Sequence, residues 1–176
     1  MPRKIRPIRV RGDVAFVSLT QGREAAIDVC DAPYVERFNW YAWIPKRKDG
    51  SVAGIYAGRN AILEDGSKRQ VLMHREILMP SPSLLVDHKD GNGLNNRRDN
   101  LREATPTQNA QNSKMRRSNS SGFKGVCWDK VSESWKAYIT IDGKGMHLGL
   151  FTRKVDAAKA YADASILGHG EFSRLE

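Results

Sequence analysis

Cysteine is nearly absent from the 176-residue chain, which has only Cys30 and Cys127 and no CxxC pair. Neither a zinc site built on cysteines nor a disulfide framework is therefore expected, so the core must hold without structural zinc. No apolar run approaches the roughly 20 residues that span a bilayer. The basic N-terminus also lacks the apolar stretch of a secretory signal. Together these absences predict a cytoplasmic protein with no membrane partner.

Acidic residues are outnumbered by basic ones: 29 Lys and Arg stand against 20 Asp and Glu, for a net charge of +9. This excess suggests a polyanionic partner, because Lys and Arg release counterions when they meet phosphates. Charge alone is weak evidence, since many basic proteins bind no nucleic acid. With 40% hydrophobic and 28% charged residues, the composition is that of a globular protein. The length suits one ordinary domain or two small ones.

Residues 1–79 have a β-rich pattern with one short helix. Short apolar stretches bounded by turn residues favour strands. Asp31 is a residue type common at helix N-caps, and it favours a helical turn just after it. The predicted elements are a hairpin of 14–19 and 25–29, a turn through 34–38 capped by Asp31, and strands at 54–58 and 69–73 around Glu64–Gly66.

Residues 80–112 differ in character, because prolines and a very polar loop interrupt short apolar segments. The apolar segment 84–88 predicts a strand, LREAT at 101–105 follows the loop, and a short helix is predicted through 108–112. Residues 113–122 are rich in Ser, Asn and Arg, with Lys114, Arg116 and Arg117 and no acid. They form a linker, either a solvated tether or an arm that also lies along phosphates.

Residues 123–176 carry the clearest periodicity. Segments 135–141 and 145–151 flank Asp142-Gly143, the preferred two-residue hairpin turn, and 125–128 supplies a preceding strand. Residues 155–167 form a predicted helix with an alanine face. Thr152 is its expected N-cap and Gly168 its expected stop.

Asp87 and His88 close an apolar strand, where successive side chains point to opposite faces. Phosphodiester hydrolysis needs a base that activates water, a divalent cation and a group that orients the base. Histidine has a suitable pKa for the base, and Asp and Asn oxygens suit Mg²⁺ or Mn²⁺. The competing interpretation is an ordinary long loop of turn-forming residues between two strands.

Three segments, HR (74–75), LLVDHKDGNGLNNRRDNLREAT (84–105) and QNAQN (108–112), resemble the HNH homing endonucleases, in the subgroup common in phages. The resemblance implies a ββα-metal finger, two strands and a helix that clamp one cation. A phage-encoded member would act in the host-cell cytoplasm.

The same resemblance assigns roles within this finger. His88 would be the general base, Asp87 a metal ligand, and Asn100 the residue that holds the loop around the base. Asn109 would be the second ligand and completes the catalytic set, whereas many members have His there. The Asn form is similar to enzymes that cut one strand at a time, so both nicking and double-strand cleavage stay open. Arg102 lies beside the site as a candidate DNA contact.

His74 and Arg75 allow two interpretations. They begin a helix that packs beneath the site, or Arg75 contacts a phosphate of bound DNA.

In strand 135–141, one face carries Trp135, Ala137, Ile139 and Ile141, and the other face is basic and polar. The second face is either an ordinary solvated surface or one that enters a DNA groove. FKGVCW (123–128), the hairpin and DAAKAYADAS (156–165) resemble the Apetala (ethylene-response-factor) DNA-binding domain. This resemblance and the charge pattern give as candidate DNA contacts Lys124, Trp128, Lys130, Lys136, Tyr138, Thr140, Lys144 and His147, of which several are Arg or Trp in plant members.

The predicted fold class is α+β: a β-rich N-terminal part with the HNH finger, then a three-stranded antiparallel sheet packed on one helix. Domains are expected at 1–112, with the HNH core at about 70–112, and at 123–176.

The favoured function is a metal-dependent endonuclease acting on double-stranded DNA, with no obligate protein partner evident. The alternative is a non-catalytic, sequence-specific transcriptional regulator with a vestigial HNH fold. RNA binding is disfavoured, because no aromatic pattern suits stacking of single-stranded bases.

Overall fold

Residues 6–116 and 118–175 are described by the computed structural model. They belong to two units, Met1–Glu103 and Ala104–Glu176. Several small antiparallel sheets and a few helices make up these units, a mixed α and β content as the sequence predicts. In the described part of the chain, no helix is both long and apolar enough to cross a membrane.

The first sheet has the order β1 (Ile8–Arg11), β2 (Val14–Ser18) and β3 (Glu24–Asp28), all antiparallel. Its central strand buries Ala15 and Val17 and leaves their neighbours partly exposed, the period-2 pattern of a strand with one covered face. The predicted hairpin of 14–19 and 25–29 is thereby confirmed.

The helical turn that follows, α1 (Ala32–Val35), ends earlier than predicted. Asp31 stands at its N-cap position, but its side chain makes no capping hydrogen bond. Both carboxylate oxygens instead accept from Arg98, at 3.0 Å from Nε and 2.6 Å from Nη2. The predicted cap is therefore wrong, because a charged partner distant in sequence takes the carboxylate.

The second sheet has the order β4 (Tyr41–Trp43), β5 (Tyr56–Ile62) and β6 (Lys68–Leu72). Strand β5 starts two residues after the start of the predicted 54–58 and extends four residues beyond its end, because Arg59 and Asn60 interrupt the apolar pattern. Helix α2 (Met73–Leu78) follows directly and buries Met73, His74 and Ile77. The hydrophobic core of the first unit gathers residues from β1 to β5, α1 and α2, whereas β6, which is described in full, contributes none.

Strands β7 (Leu85–His88) and β8 (Leu101–Ala104) form a two-stranded sheet, as the sequence predicts. Val86, Leu94 and Leu101 join the first unit's core, so the polar loop between the strands is anchored at both ends. Helix α3 (Pro106–Gln111) comes next and starts two residues before the prediction. Its first turn is stabilised by a capping box between Thr105 and Gln108.

The second unit contains an antiparallel sheet of β9 (Val126–Asp129), β10 (Ser134–Ile141) and β11 (Lys144–Phe151), in the order β11-β10-β9. Asp142 and Gly143 both have positive φ, 50° and 75°, as a tight hairpin turn between twisted strands requires. The predicted hairpin and its preceding strand are confirmed.

Helix α4 (Lys154–His169) packs its Ala157 and Tyr161 toward this sheet. The predicted boundaries were wrong at both ends: Arg153 rather than Thr152 takes the N-cap position, and the helix continues through Gly168. A Cβ on Gly168 would lie 2.2 Å from Ile141 Cδ1, so this glycine permits close packing and does not stop the helix. The helix ends at Gly170, where φ is +53°.

Candidate active site around Asp87 and His88

Asp87 and His88 end strand β7, and each side chain is only about 5% exposed. The Asp87 carboxylate lies against Arg102 of the neighbouring strand, whose Nε and Nη2 both lie 2.8 Å from Oδ2. This contact fixes the carboxylate, because a guanidinium makes a planar fork of donors. Arg102 itself is buried, with 9% of its side chain exposed. Arg102 is therefore placed to orient Asp87, whereas the sequence had suggested that it contacts DNA.

The His88 imidazole sits in an aromatic pocket of the first unit. The ring of His74 meets it edge-on with centroids 4.9 Å apart, and the ring of Tyr56 lies 6.1 Å away. The Nε2 atom of His88 is 3.4 Å from Oδ1 of Asn96. Burial lowers the pKa of His88 below its ordinary value, which keeps the ring neutral.

His74, on α2, packs beneath the site, in agreement with the first interpretation of the His-Arg pair. Burial lowers its pKa to about 3. Its Nδ1 atom is buried and has no hydrogen-bond partner among the described residues. Arg75 donates from Nη1 to the carbonyl of Leu84 at 3.1 Å and so ties the helix to the start of β7. Sequence reasoning did not place His74 against His88, because α2 and β7 meet only in the folded unit.

The polar loop between β7 and β8 is held by Asn100. Its Nδ2 donates to Asp90 Oδ1 at 3.0 Å and to the carbonyl of Asn95 at 2.8 Å. Its Oδ1 accepts from the backbone N–H of Asp90 at 3.1 Å. One amide side chain thus joins both ends of the loop that follows His88.

The same loop is joined to strand β3. Ala26 N donates to Leu94 O at 2.8 Å, and Asn96 N donates to Ala26 O at 2.7 Å. Asp28 adds two contacts: its Oδ1 lies 3.3 Å from Arg97 Nε, and its Oδ2 accepts from Arg98 N at 2.8 Å. The N-terminal sheet is therefore a support for the loop, a relation that no local sequence pattern indicates.

Gly93 lets the loop pass close to the second sheet. A Cβ at this position would lie 2.5 Å from both the carbonyl oxygen of Ile55 and the ring of Tyr56. Because Tyr56 also contacts the His88 ring, a side chain at position 93 would displace one wall of the histidine pocket.

Asn109, the remaining candidate ligand, is half-buried on α3, which belongs to the second unit. In the described parts of the chain, no three His, Cys, Asp or Glu side chains are grouped so that they could hold a metal.

The outer face of the C-terminal sheet carries several of the candidate DNA contacts. Lys136, Tyr138 and Thr140 alternate along β10, and Tyr138 pairs across the hairpin with His147. Tyr138, Thr140 and His147 are exposed. Trp128 lies on the other face of this sheet. It pairs there with Trp135, and the centroids of the two rings are 5.1 Å apart. It is therefore not part of the basic face.

The remaining basic candidates differ in exposure. Lys124 is half-buried and donates from Nζ to the carbonyls of Gln111 and Ser113, at 2.6 and 2.8 Å, so it fastens the end of α3. Lys114 and Arg116 are exposed and, with Lys124, line a cavity of about 370 Å³. The exposed set also includes Lys130 and Lys144. Arg117 lies outside the described residues.

Comparison with known proteins identifies the segment that carries the Asp87-His88 pair. The family model described as HNH endonuclease matches residues 79–111, the segment that contains β7, the polar loop, β8 and α3. An uncharacterized HNH endonuclease of Acanthamoeba polyphaga mimivirus is 31% identical over 173 residues, 94% of this chain and 75% of that protein. Protein 3.8 of Escherichia phage T7 is 49% identical over 90 residues, 51% of this chain and 74% of that protein. No solved structure gives a significant match.

These findings define the class of protein: the chain belongs to the HNH endonuclease family. The relatives are viral, in line with the phage subgroup that the motif resembles.

Proposed function

We propose that this protein is a metal-dependent endonuclease that hydrolyses phosphodiester bonds in double-stranded DNA. The observation that carries the proposal is the buried Asp87-His88 pair at the end of β7, within the segment that matches the HNH endonuclease model. A protein that only bound DNA would have no need for a neutral histidine beside a braced carboxylate.

The donor chemistry at Asp87 fits a hard divalent cation such as Mg²⁺ or Mn²⁺. Mg²⁺ keeps several waters and is commonly bound through only one or two protein carboxylates, so a cluster of three acids is not required. Asp87 would supply the carboxylate oxygen, and Asn109 is the second ligand that the family resemblance implies. When bound, the cation would neutralise charge on the leaving 3′-oxygen.

The chain's own residues provide the proton chemistry. A neutral His88 can take a proton from the attacking water, and burial keeps it neutral near pH 7. Asn100 holds the loop that borders this histidine. Arg102 keeps the Asp87 carboxylate in one orientation.

The C-terminal unit would serve as a DNA reader of the Apetala type. Its three-stranded sheet with a helix on one face, and exposed polar and basic side chains on the other, supports that assignment. Tethering such a reader raises the effective concentration of the nuclease at its target. Many family members have histidine at the position of Asn109. Asparagine at this position is consistent with a homing enzyme that nicks one strand.

The test is incubation of the purified protein with supercoiled plasmid and with phage DNA, in Mg²⁺, Mn²⁺ or EDTA. Metal-dependent conversion to open-circular DNA would support a nickase, and conversion to linear DNA would support double-strand cleavage. DNA binding with no conversion in any metal would overturn the enzymatic proposal in favour of a non-catalytic DNA-binding regulator.

A further inference from the structure

Asn96 is a fully buried polar residue beside His88, with 0% of its surface exposed. Its backbone N–H donates to the carbonyl of Ala26 at 2.7 Å, so strand β3 sets its position. A buried amide costs free energy unless it is hydrogen-bonded, and this one is bonded at both ends. A role in forming the loop does not by itself explain why this amide is buried beside His88.

The side-chain amide of Asn96 is oriented by its contact within the loop. Its Nδ2 donates to the carbonyl of Leu94 at 3.2 Å, so the other amide atom, Oδ1, faces His88. A carbonyl oxygen can only accept a hydrogen bond. At 3.4 Å from Oδ1, the Nε2 atom of His88 must then be the donor and carry the proton. In a neutral imidazole the lone pair is left on Nδ1.

We infer that Asn96 is a positioning residue that fixes the His88 ring and holds it in the Nε2–H tautomer, the form in which Nδ1 is the ring nitrogen that carries the lone pair. The inference rests on the proposed nuclease function and adds the residue that orients its base. It differs from the role of Asn100, which binds the loop backbone and Asp90. An amide suits this task, because it selects a tautomer without adding a charge to a buried site.

Nuclear magnetic resonance of the resting protein tests the tautomer without any turnover. The chain has four histidines, so ring ¹⁵N signals can be assigned by single substitution. At pH 7.5 the wild type should show His88 protonated at Nε2. In Asn96→Leu, which keeps the branching at Cγ but removes the acceptor, the signal should shift toward a mixture of tautomers. A wild-type His88 protonated at Nδ1 would overturn the inference, whether or not Asn96→Leu folds.

Single-turnover kinetics test the consequence for catalysis. Asn96→Leu should lower the cleavage rate about 10²-fold, the lower range for losing a positioned base, while the DNA Kd stays within about twofold. In a His88→Ala background the same substitution should have no further effect on the residual rate, because Asn96 acts through His88. Additive losses in the two backgrounds would show a merely structural role.

Asn92→Ala is the matched control. Asn92 is an exposed asparagine of the same loop whose Oδ1 accepts from Leu94 N at 3.1 Å. This variant should leave the tautomer unchanged and the rate within about threefold. An equal rate loss in Asn92→Ala and Asn96→Leu would contradict the inference. A wild type that cleaves no DNA would instead overturn the proposed function, and with it the catalytic role of Asn96, whatever the tautomer.

Discussion

At the scale of single residues, the site is built by burying polar groups and giving each a defined neighbour. Asp87 is buried against Arg102, a charge pair in which removal of one partner would leave the other charge uncompensated. His88 is buried against His74, Tyr56 and Asn96. The pair Asp87-His88 could be predicted from its place at the end of an apolar strand. Their neighbours Arg102, His74, Tyr56 and Asn96 lie outside strand β7, and only the fold brings them together.

His74 gives a prediction about acid stability. Its pKa is lowered to about 3, from an ordinary value of 6.5, first by burial and then by electrostatic interaction with His88 and Arg75. Between these values the unfolded chain binds a proton that the folded chain excludes, so stability should fall as pH decreases below about 6.5. At pH 5 the loss due to His74 should be about 2 kcal/mol.

His74→Phe keeps a ring against His88 and Tyr56 but removes the titration. The free energy of unfolding, measured with urea at pH 7.5 and pH 5, should drop by about 2 kcal/mol less in this variant than in the wild type. Equal acid losses in the two proteins would show that His74 is protonated in the folded state.

At the scale of elements, the polar loop depends on β3 as much as on its own strands. The local signals predicted β7, β8 and the C-terminal hairpin well, because alternation and an Asp-Gly turn act over a few residues. They could not predict the contact of Ala26 with Leu94 and Asn96, since pairing between distant segments leaves no periodic trace. They also misassigned Gly168, whose role is set by the packing of Ile141.

Asp28→Ala tests the support that β3 gives to the loop. The substitution removes the acceptor for Arg98 N and one of the carboxylate partners of Arg97. It should lower stability by about 1.5–3 kcal/mol, the range for hydrogen bonds to charged groups. It should also reduce the cleavage rate with little change in DNA affinity, because the loop carries Asn96 and Asn100.

Asp65→Ala is the control for this experiment. Asp65 also accepts a backbone N–H, from Ser67 at 2.9 Å, but in an exposed turn between β5 and β6. Its loss should leave the cleavage rate unchanged. Unaltered cleavage by Asp28→Ala would mean that the loop holds its geometry without β3.

At the scale of the whole molecule, the chain combines a unit that carries the Asp87-His88 site with a second unit of sheet and helix. The net charge of +9 provides affinity for a polyanion without sequence preference. The outer face of β10 is where the second unit exposes Tyr138 and Thr140 beside Lys136. Target choice would then belong to this face and hydrolysis to the first unit.

The combined variant Lys136→Ala and Tyr138→Ala tests this division. DNA affinity should fall, and the slope of log Kd against log salt should decrease by about 1 for the lost phosphate contact. The single-turnover rate at saturating DNA should stay near the wild-type value. Lys159→Ala, an exposed lysine on α4 paired with Asp163, is the control and should keep the wild-type slope. Unchanged affinity in the double variant would place the reader elsewhere.

We propose that His88 is the general base of DNA cleavage. This proposal is tested most directly by comparing wild type, His88→Ala and the exposed-histidine control His147→Ala on one labelled DNA duplex with Mg²⁺, with binding and cleavage followed in parallel. We expect His88→Ala to bind with wild-type affinity and to cleave at least about 10²-fold more slowly, while His147→Ala retains the wild-type cleavage rate at saturating DNA. Cleavage by His88→Ala at the wild-type rate would show that His88 is not the base.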